Sequence, residues 1–132
     1  SPNNYYPKET AIRFPSRTPV FYDQTWTDAW PTEIGHPDDN LFGDPDGGLS
    51  TGGVGANSFN RLTKARHGSG STGSKAPKSI PATYTPADLP GLVNMGFADG
   101  HADPVLLKKL WDYNWHATWK STLVVPANLT PN

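Results

Sequence analysis

The strongest local constraint on folding is the segment from Leu92 to Gly100. Apolar residues dominate Leu92 to Ala98, and the pair Asp99-Gly100 follows directly. An Asp-Gly pair at the end of an extended segment signals a tight reversal, because glycine reaches positive φ without a steric penalty. The sequence therefore predicts a β-strand over 92–98 that ends in a turn at Asp99-Gly100.

Two signals conflict after this turn. The turn favours a returning strand from His101, whereas Asp103-Pro104 supplies a helix N-cap residue followed by proline at the first helical position. Apolar side chains then recur at helical spacing. This stripe comprises Leu107, Leu110, Trp111, Asn114 and Trp115. We expect a very short return strand and then an amphipathic helix over 104–114.

Outside this region the sequence alternates between short strand-like segments and long loops. Strands are predicted over 18–24, over 59–66 with Leu62 facing inward, and over 122–125. The segments 33–57 and 69–90 are rich in Gly, Pro, Ser and Asp, which favours irregular structure. The predicted fold class is α+β, a small antiparallel β-sheet with a C-terminal amphipathic helix and long irregular loops.

The composition is consistent with one domain. The chain has 132 residues and holds 13 glycines and 14 prolines, yet its five Trp, five Tyr and five Phe are core-forming side chains. We expect a single domain over 1–132, divided into an extended arm (1–12), a head (13–119) and a tail (120–132). The chain has no cysteine, so disulfides neither stabilise the fold nor report its compartment.

The charge balance and hydropathy narrow the choice of partners. The net charge is −1, so no overall electrostatic field favours nucleic acid. The longest apolar run, Leu123-Val124-Val125, is too short to cross a bilayer, and nothing at Ser1 resembles a signal peptide. We therefore expect neither a nucleic-acid partner nor a membrane span in this chain.

Several blocks of the sequence resemble a known family in the same order. The blocks are Thr18 to Asp23, Trp26 to Pro31, Arg66-His67-Gly68, Leu89-Pro90-Gly91, Asn94 to His101, Leu107 to Trp111, and Trp115-His116. Together they resemble the C-terminal domain of the prepilin-type (pseudopilin-like) surface proteins of planctomycete and verrucomicrobial bacteria. The spacer of 31 residues between His67 and Asp99 is longer than is usual in that family.

The resemblance implies a structural role. It implies an extracellular, cell-surface protein with a pilin-like globular head, whose copies assemble with one another into a filament, and it implies no enzymatic activity. The residues that match the family motif are His67, Asn94, Phe97, Asp99, Gly100 and His101. The apolar N-terminal helix of the family is not found in this sequence, so another element is expected to supply the contacts between subunits. The candidates are Tyr5 and Tyr6 in the arm, and Leu123, Val124 and Val125 in the tail, whose addition to an open sheet edge would bury them.

Two functions from other classes stay open at this stage. A hydrolase could use His67, Asp99 and His101, since an aspartate often orients a catalytic histidine. A carbohydrate-binding module could stack surface glycans on exposed tryptophans, and Trp111, Trp115 and Trp119 recur four residues apart. The commoner explanations are a turn-stabilising role for Asp99, a packed or hydrogen-bonded role for the histidines and core packing for the tryptophans.

The acidic loop after residue 37 is a candidate calcium site. It contains Asp38, Asp39, Asn40, Asp44 and Asp46, followed by Gly47-Gly48. Oxygen ligands at short spacing suit Ca²⁺, although the spacing does not match an EF-hand. Asp residues that form turns at Asp-Pro and Asp-Gly steps are the alternative explanation.

Glycosylation is a possible modification of this chain. Asn128-Leu129-Thr130 matches the N-glycosylation pattern, with Asn128 as the acceptor, but the Pro131 that follows makes it less favourable. The Ser- and Thr-rich segment 69–85 is a candidate for O-linked sugar.

Overall fold

A computed structural model describes residues 5–24, 29–33, 37–38, 40–42, 59–81, 84 and 86–120. Within these residues the regular structure is one antiparallel sheet of three strands in the order β1-β2-β3. The strands are β1 (Pro19–Tyr22), β2 (Leu92–Phe97) and β3 (Ala102–Leu106). The small antiparallel sheet predicted from the sequence is thus confirmed.

The β2–β3 hairpin closes at the predicted Asp-Gly turn. The Phe97 N–H donates to the His101 carbonyl at 2.9 Å, and the Gly100 N–H donates to the Phe97 carbonyl at 2.9 Å. Gly100 has φ +92°, a left-handed conformation that a side chain would disfavour. The signal in the sequence was therefore sufficient to place both the end of β2 and the reversal.

The predicted helix over 104–114 is wrong. Asp103 and Pro104 belong to β3, where Asn94 pairs with Pro104, and a short 3₁₀ helix covers only Leu107–Asp112. Pro104 is tolerated in the strand because hydrogen-bonded pairs alternate along an antiparallel ladder. Bonded and non-bonded pairs alternate from the bonded pair Phe97–His101, so Asn94–Pro104 is a non-bonded pair. The N–H that Pro104 lacks would therefore point away from β2.

Two hydrogen bonds explain why this helix stops after six residues. In an α-helix the Leu110 carbonyl would accept a hydrogen bond from the Asn114 N–H. Here the Trp115 ring Nε1–H donates to that carbonyl at 2.7 Å, and the Asn114 N–H donates instead to the Arg17 carbonyl at 2.8 Å. Contacts with a distant part of the chain therefore replace the next helical turn.

The other predicted elements have mixed outcomes. The strand over 18–24 is confirmed as β1, with an irregular register between Pro19 and Phe21. The strand over 59–66 is wrong, because Phe59–Arg61 is a 3₁₀ turn, although Leu62 is buried as expected. The remaining 3₁₀ turns are Glu9–Ala11, Pro15–Arg17, Gly73–Lys75 and Pro86–Asp88, so the described part of the arm contains a turn as well as extended chain. The described part of the chain contains no α-helix.

One face of the sheet forms the wall of the core. Val93, Met95 and Phe97 of β2 point to this side and are at most 3% exposed. Val105 of β3 adds to this wall, and the other core side chains come from irregular segments and from the 3₁₀ helix after β3. They include Leu41, Phe59, Leu62, Leu89, Leu107, Leu110, Trp111 and Trp119. The loops therefore contribute as much to the core as the sheet does.

Candidate functional site

His67 lies beside the start of β2 and forms a clamp with Asp23. It forms an isolated antiparallel bridge with Leu92, and its Nε2 lies 3.0 Å from Asp23 Oδ2. The same carboxylate oxygen accepts a hydrogen bond from the Asn94 N–H at 2.9 Å. Asp23 thus joins the end of β1, the 59–67 segment and the centre of β2, which is a structural use of a histidine–aspartate pair.

His101 lies at the opposite end of β2, between two carboxylates. Its Nδ1 contacts Asp99 Oδ1, its Nε2 lies 3.3 Å from Asp103 Oδ2, and its ring stacks on Phe97 at 4.4 Å between centroids. Both ring nitrogens can donate together only when the ring is protonated. The hydrogen bonds from the side chain and from the backbone N–H of His101 lower the pKa of Asp99 below its ordinary value of 3.8.

The three suspected catalytic residues do not converge. His67 lies opposite Leu92 and His101 opposite Phe97, so five residues of strand, about 17 Å at 3.3 Å per residue, separate the two histidines. A shallow cavity of about 440 Å³ beside His101 is lined by Ser16, Arg17, Asp103, Lys109, Asp112 and Tyr113 as well. His67 is not among the residues that line it, so the hydrolase hypothesis loses its proposed triad.

The described residues of the acidic loop bind a lysine. Lys64 Nζ lies 2.6 Å from Asp38 Oδ2 and 2.7 Å from the Asn40 carbonyl, and the Lys64 and Asp38 side chains are buried. Asp38 Oδ1 accepts from the Asn40 N–H at 3.0 Å, which is the turn-forming role considered above. Among the described residues no group of three or more His, Cys, Asp or Glu side chains could hold a metal ion.

The calcium hypothesis consequently depends on residues elsewhere in the loop. Asp39, Asp44 and Asp46 lie outside the described residues. The ammonium of Lys64 already neutralises Asp38, so a calcium ion would compete with it for that carboxylate. Calcium binding by this loop stays a prediction.

The regularly spaced tryptophans pack in the core instead of forming a flat platform. Phe59 contacts Trp111, Trp115 and Trp119, with ring centroids 4.4, 5.5 and 6.1 Å away. Trp30 is 65% exposed, whereas Trp26 lies outside the described residues. The core-packing explanation is confirmed for these three side chains, since Trp111 and Trp119 are buried and Trp115 packs partly buried against them.

The outward face of the sheet is largely apolar within the three strands, and the Asp23–His67 pair lies at one end of it. Strand register places seven side-chain positions on it, alternating with the core positions. They are Phe21, Leu92, Asn94, Gly96, Ala102, Pro104 and Leu106. Phe21 is 78% exposed and Leu106 is 45% exposed. An antiparallel sheet commonly presents polar side chains to water on such a face, so this outer face is a candidate interaction surface.

The edge formed by β1 is a second candidate surface. In the described part of the chain β1 has a partner on one side only. The Asp23 N–H donates to the Asn94 carbonyl at 3.1 Å, which continues the pairing of this segment with β2 one residue beyond Tyr22. Val20, 45% exposed, lies on the same edge, and the strand carries no lysine to oppose strand addition.

Sequence reasoning singled out some of these residues and missed others. It identified His67, Asp99 and His101, but not their partners Asp23 and Asp103. Asp23 is 44 residues from His67 in the sequence, and Asp103 was assigned to a helix N-cap instead. Tyr5 is 61% exposed and Tyr6 is half-buried, whereas Leu123, Val124, Val125 and the acceptor Asn128 lie outside the described residues.

Comparison with known proteins does not add a family. No helix in the part of the chain that the structure covers is long and apolar enough to cross a bilayer. Comparisons of the chain with protein-family models, curated proteins and solved structures gave no match. The pilin-like resemblance therefore stays a prediction from the sequence motifs.

Proposed function

We propose that this protein is an extracellular structural subunit of the pilin-like type, whose copies assemble into a filament or surface fibre. The observation that supports this most directly is β1, which carries no charged residue and pairs on one side only among the described residues. Val20 and Phe21 are exposed there by 45% and 78%. Pro19 and the irregular register beside it limit strand addition at the start of β1, whereas the exposed apolar side chains that follow are suited to contact with a strand from another chain.

The donated strand in this proposal is Leu123-Val124-Val125 of a neighbouring subunit. Thr122 to Val125 has the β-branched, apolar composition of a short strand. Its backbone would pair alongside β1, and its side chains would contact the exposed Val20. The arm with Tyr5 and Tyr6 is the other possible donor.

Deletion of residues 121–132 tests this proposal. We expect the full-length protein to form fibres under negative-stain electron microscopy and the truncated protein to remain dispersed. Normal fibres from the truncation would rule out the tail as donor, and a second deletion, of residues 1–7, then tests the arm.

A variant of the acceptor edge provides the matched experiment. Val20→Lys adds the type of charge that natural edge strands carry, without removing a buried side chain. It is expected to block fibres as the tail deletion does. Lys8→Ala, at an exposed residue outside the sheet, is the control that should leave fibres unchanged. If no fibres form from the full-length protein under any condition tested, the proposed function is wrong.

A further inference from the structure

We infer that Asp99-Gly100 is a site of spontaneous backbone isomerisation, and that the folded turn suppresses the reaction through the contacts of His101 with the Asp99 carboxylate. The inference concerns the chemistry of the turn and is independent of filament formation. It rests on the identity of the two residues, on the open space around them and on the hydrogen bonds that hold the two reacting groups.

The reaction uses only the atoms of the turn and water. The Gly100 backbone nitrogen attacks the side-chain Cγ of Asp99, and the new N–C bond closes a five-membered succinimide ring. The amide proton and the hydroxyl of the neutral carboxyl group leave together as water. Hydrolysis returns the water and opens the ring at either carbonyl, which gives aspartate or isoaspartate. Glycine favours the attack because it has no side chain to obstruct the nitrogen.

Steric crowding does not protect this turn. A Cβ at Gly100 would meet no atom within 4 Å. The Asp99 side chain is 35% exposed, so water reaches the place where the ring would form and open. Protection must therefore come from the groups that bind the nitrogen and the carboxylate.

The attacking nitrogen is held by a hydrogen bond across the turn. The Gly100 N–H donates to the Phe97 carbonyl at 2.9 Å, and the Asp99 N–H donates to the Pro15 carbonyl at 3.3 Å. The nitrogen has to give up its proton to attack, and the hydrogen bond to Phe97 opposes this loss. Ring closure therefore requires the turn to open first.

His101 keeps the carboxyl group in its unreactive form. Its ring Nδ1 contacts Asp99 Oδ1, and its backbone N–H donates to the same oxygen at 3.1 Å. Both contacts favour the ionised carboxylate and lower the pKa of Asp99. The ionised group resists attack, because its negative charge repels the nitrogen and it has no hydroxyl to release.

The protection matters for the register of the sheet. An isoaspartate at position 99 adds one carbon to the main chain between Phe97 and His101. The Phe97 N–H donates to the His101 carbonyl at 2.9 Å, and this pair begins the ladder between β2 and β3. A longer main chain at this point would displace the pair that sets the register.

The experiment measures isoaspartate in the full chain over several weeks at physiological temperature and neutral pH. Chymotryptic cleavage after Phe97 releases a peptide that contains Asp99, and electron-transfer fragmentation distinguishes isoaspartate from aspartate. Asp103 in the same peptide is an internal blank, because Pro104 has no backbone N–H to attack. The wild type should isomerise at position 99 at least about ten times more slowly when folded than in concentrated urea.

Two variants assign the protection to His101. His101→Phe keeps an aromatic ring to stack on Phe97 but removes the nitrogen that contacts Asp99, so the rate in the folded state should rise at least about threefold. The control Asp103→Asn changes the other carboxylate beside His101, and its rate should stay within about twofold of the wild-type rate. Circular dichroism checks that each variant retains the sheet. If His101→Phe loses it, the comparison of folded and unfolded wild type still tests the site.

Three results would overturn the inference. Equal rates for the wild type in buffer and in urea would show that the turn gives no protection. A folded rate for His101→Phe no higher than that of the wild type would show that the ring contact does not suppress the reaction. A rate for Asp103→Asn as high as that for His101→Phe would assign the protection to the rigidity of the hairpin end.

Discussion

At the residue scale, Lys64 carries a charge into the interior of the molecule. Its side chain is 2% exposed and that of its partner Asp38 is 5% exposed, with 2.6 Å between Nζ and Oδ2. The Thr63 hydroxyl accepts a further hydrogen bond from the Asp38 N–H at 2.7 Å. These contacts attach the segment at 37–42 to the segment that follows Phe59, which the sequence gives no reason to expect.

The first prediction is that Lys64→Met strongly destabilises the fold. The substitution keeps the aliphatic bulk but leaves the Asp38 carboxylate buried without a cation. Breaking a buried pair in this way costs about 3–5 kcal/mol. The loss should be measured as the free energy of unfolding in urea.

The double variant Lys64→Met/Asp38→Asn is the control for this prediction. It has no unpaired charge, and the side-chain amide oxygen introduced at position 38 still accepts from the Asn40 N–H, so it should recover much of the lost stability. A loss below about 1 kcal/mol in the single variant, as at an exposed pair, would contradict the burial of this ion pair.

The second prediction concerns pH and Asp99. Hydrogen bonds from His101 lower the pKa of Asp99 in the folded protein, so ionised Asp99 stabilises the fold relative to the unfolded chain. This stabilisation is fully present above pH 3.8, the ordinary pKa of the carboxyl group. It is lost as the pH falls through the lower pKa that Asp99 has in the folded protein. The effect is small, because both side chains are more than a third exposed.

The measurement compares urea unfolding midpoints of the wild type and Asp99→Asn from about pH 5 to about pH 2. The wild-type advantage over the variant should shrink as the pH falls. An advantage that is constant over this range would show that ionisation of Asp99 does not contribute.

At the element scale, the third prediction compares two glycines that have the same backbone requirement but different surroundings. Gly91 has φ +81° and Gly100 has φ +92°. A Cβ at Gly100 meets nothing within 4 Å, whereas one at Gly91 would lie 2.9 Å from the His67 carbonyl oxygen and 3.2 Å from Ala65 Cα. Gly91 is where the 65–67 segment passes directly against the start of β2.

Gly100→Ala should therefore cost about 1 kcal/mol, from the left-handed conformation alone. Gly91→Ala adds overpacking against backbone and should cost at least about 3 kcal/mol. Thermal melting of both variants measures the difference. Equal losses would mean that the chain can move away from a side chain at position 91.

Elements with local signals were predictable, and those that depend on distant partners were not. Asp99-Gly100 and the apolar run before it gave β2 and the turn, since both are encoded within a few residues. Asp103-Pro104 and the stripe after it indicated a helix locally, but pairing with β2 took Asp103 and Pro104 into β3. Tertiary pairing overrode local propensity there.

The candidate sites follow the same rule. The motif residues His67, Asp99 and His101 could be singled out from the sequence. The sequence did not show that His67 lies at the other end of β2 from Asp99 and His101. The largely apolar outer face was also hidden in the sequence, because Phe21 and Ala102 become neighbours of Gly96 only through the register of three strands. Register is a property of the pairing, which composition does not report.

At the scale of the whole molecule, Phe59 connects the irregular segments to the sheet. It is fully buried and its ring contacts Trp111, Trp115 and Trp119. Trp115 in turn packs edge-on against Tyr22 of β1, with 5.3 Å between ring centroids. The residues after β3, the loop residue Phe59 and the sheet thus share one hydrophobic core.

The last prediction is that these parts unfold together. A shared core makes unfolding a single cooperative transition. The transition followed by tryptophan fluorescence, which reports on the Phe59 cluster, should therefore coincide with the one followed by far-ultraviolet circular dichroism, which reports on the backbone.

Phe59→Ala leaves a cavity among three tryptophans and should lower the free energy of unfolding by about 3–5 kcal/mol while shifting both transitions equally. Phe14→Ala, at a residue that is 52% exposed, is the matched control and should change stability by less than about 1 kcal/mol. If Phe59→Ala moved the fluorescence transition and left the circular dichroism transition in place, the tryptophan cluster would be a unit separate from the sheet. The long irregular segments would then be attached to the fold through the sheet alone.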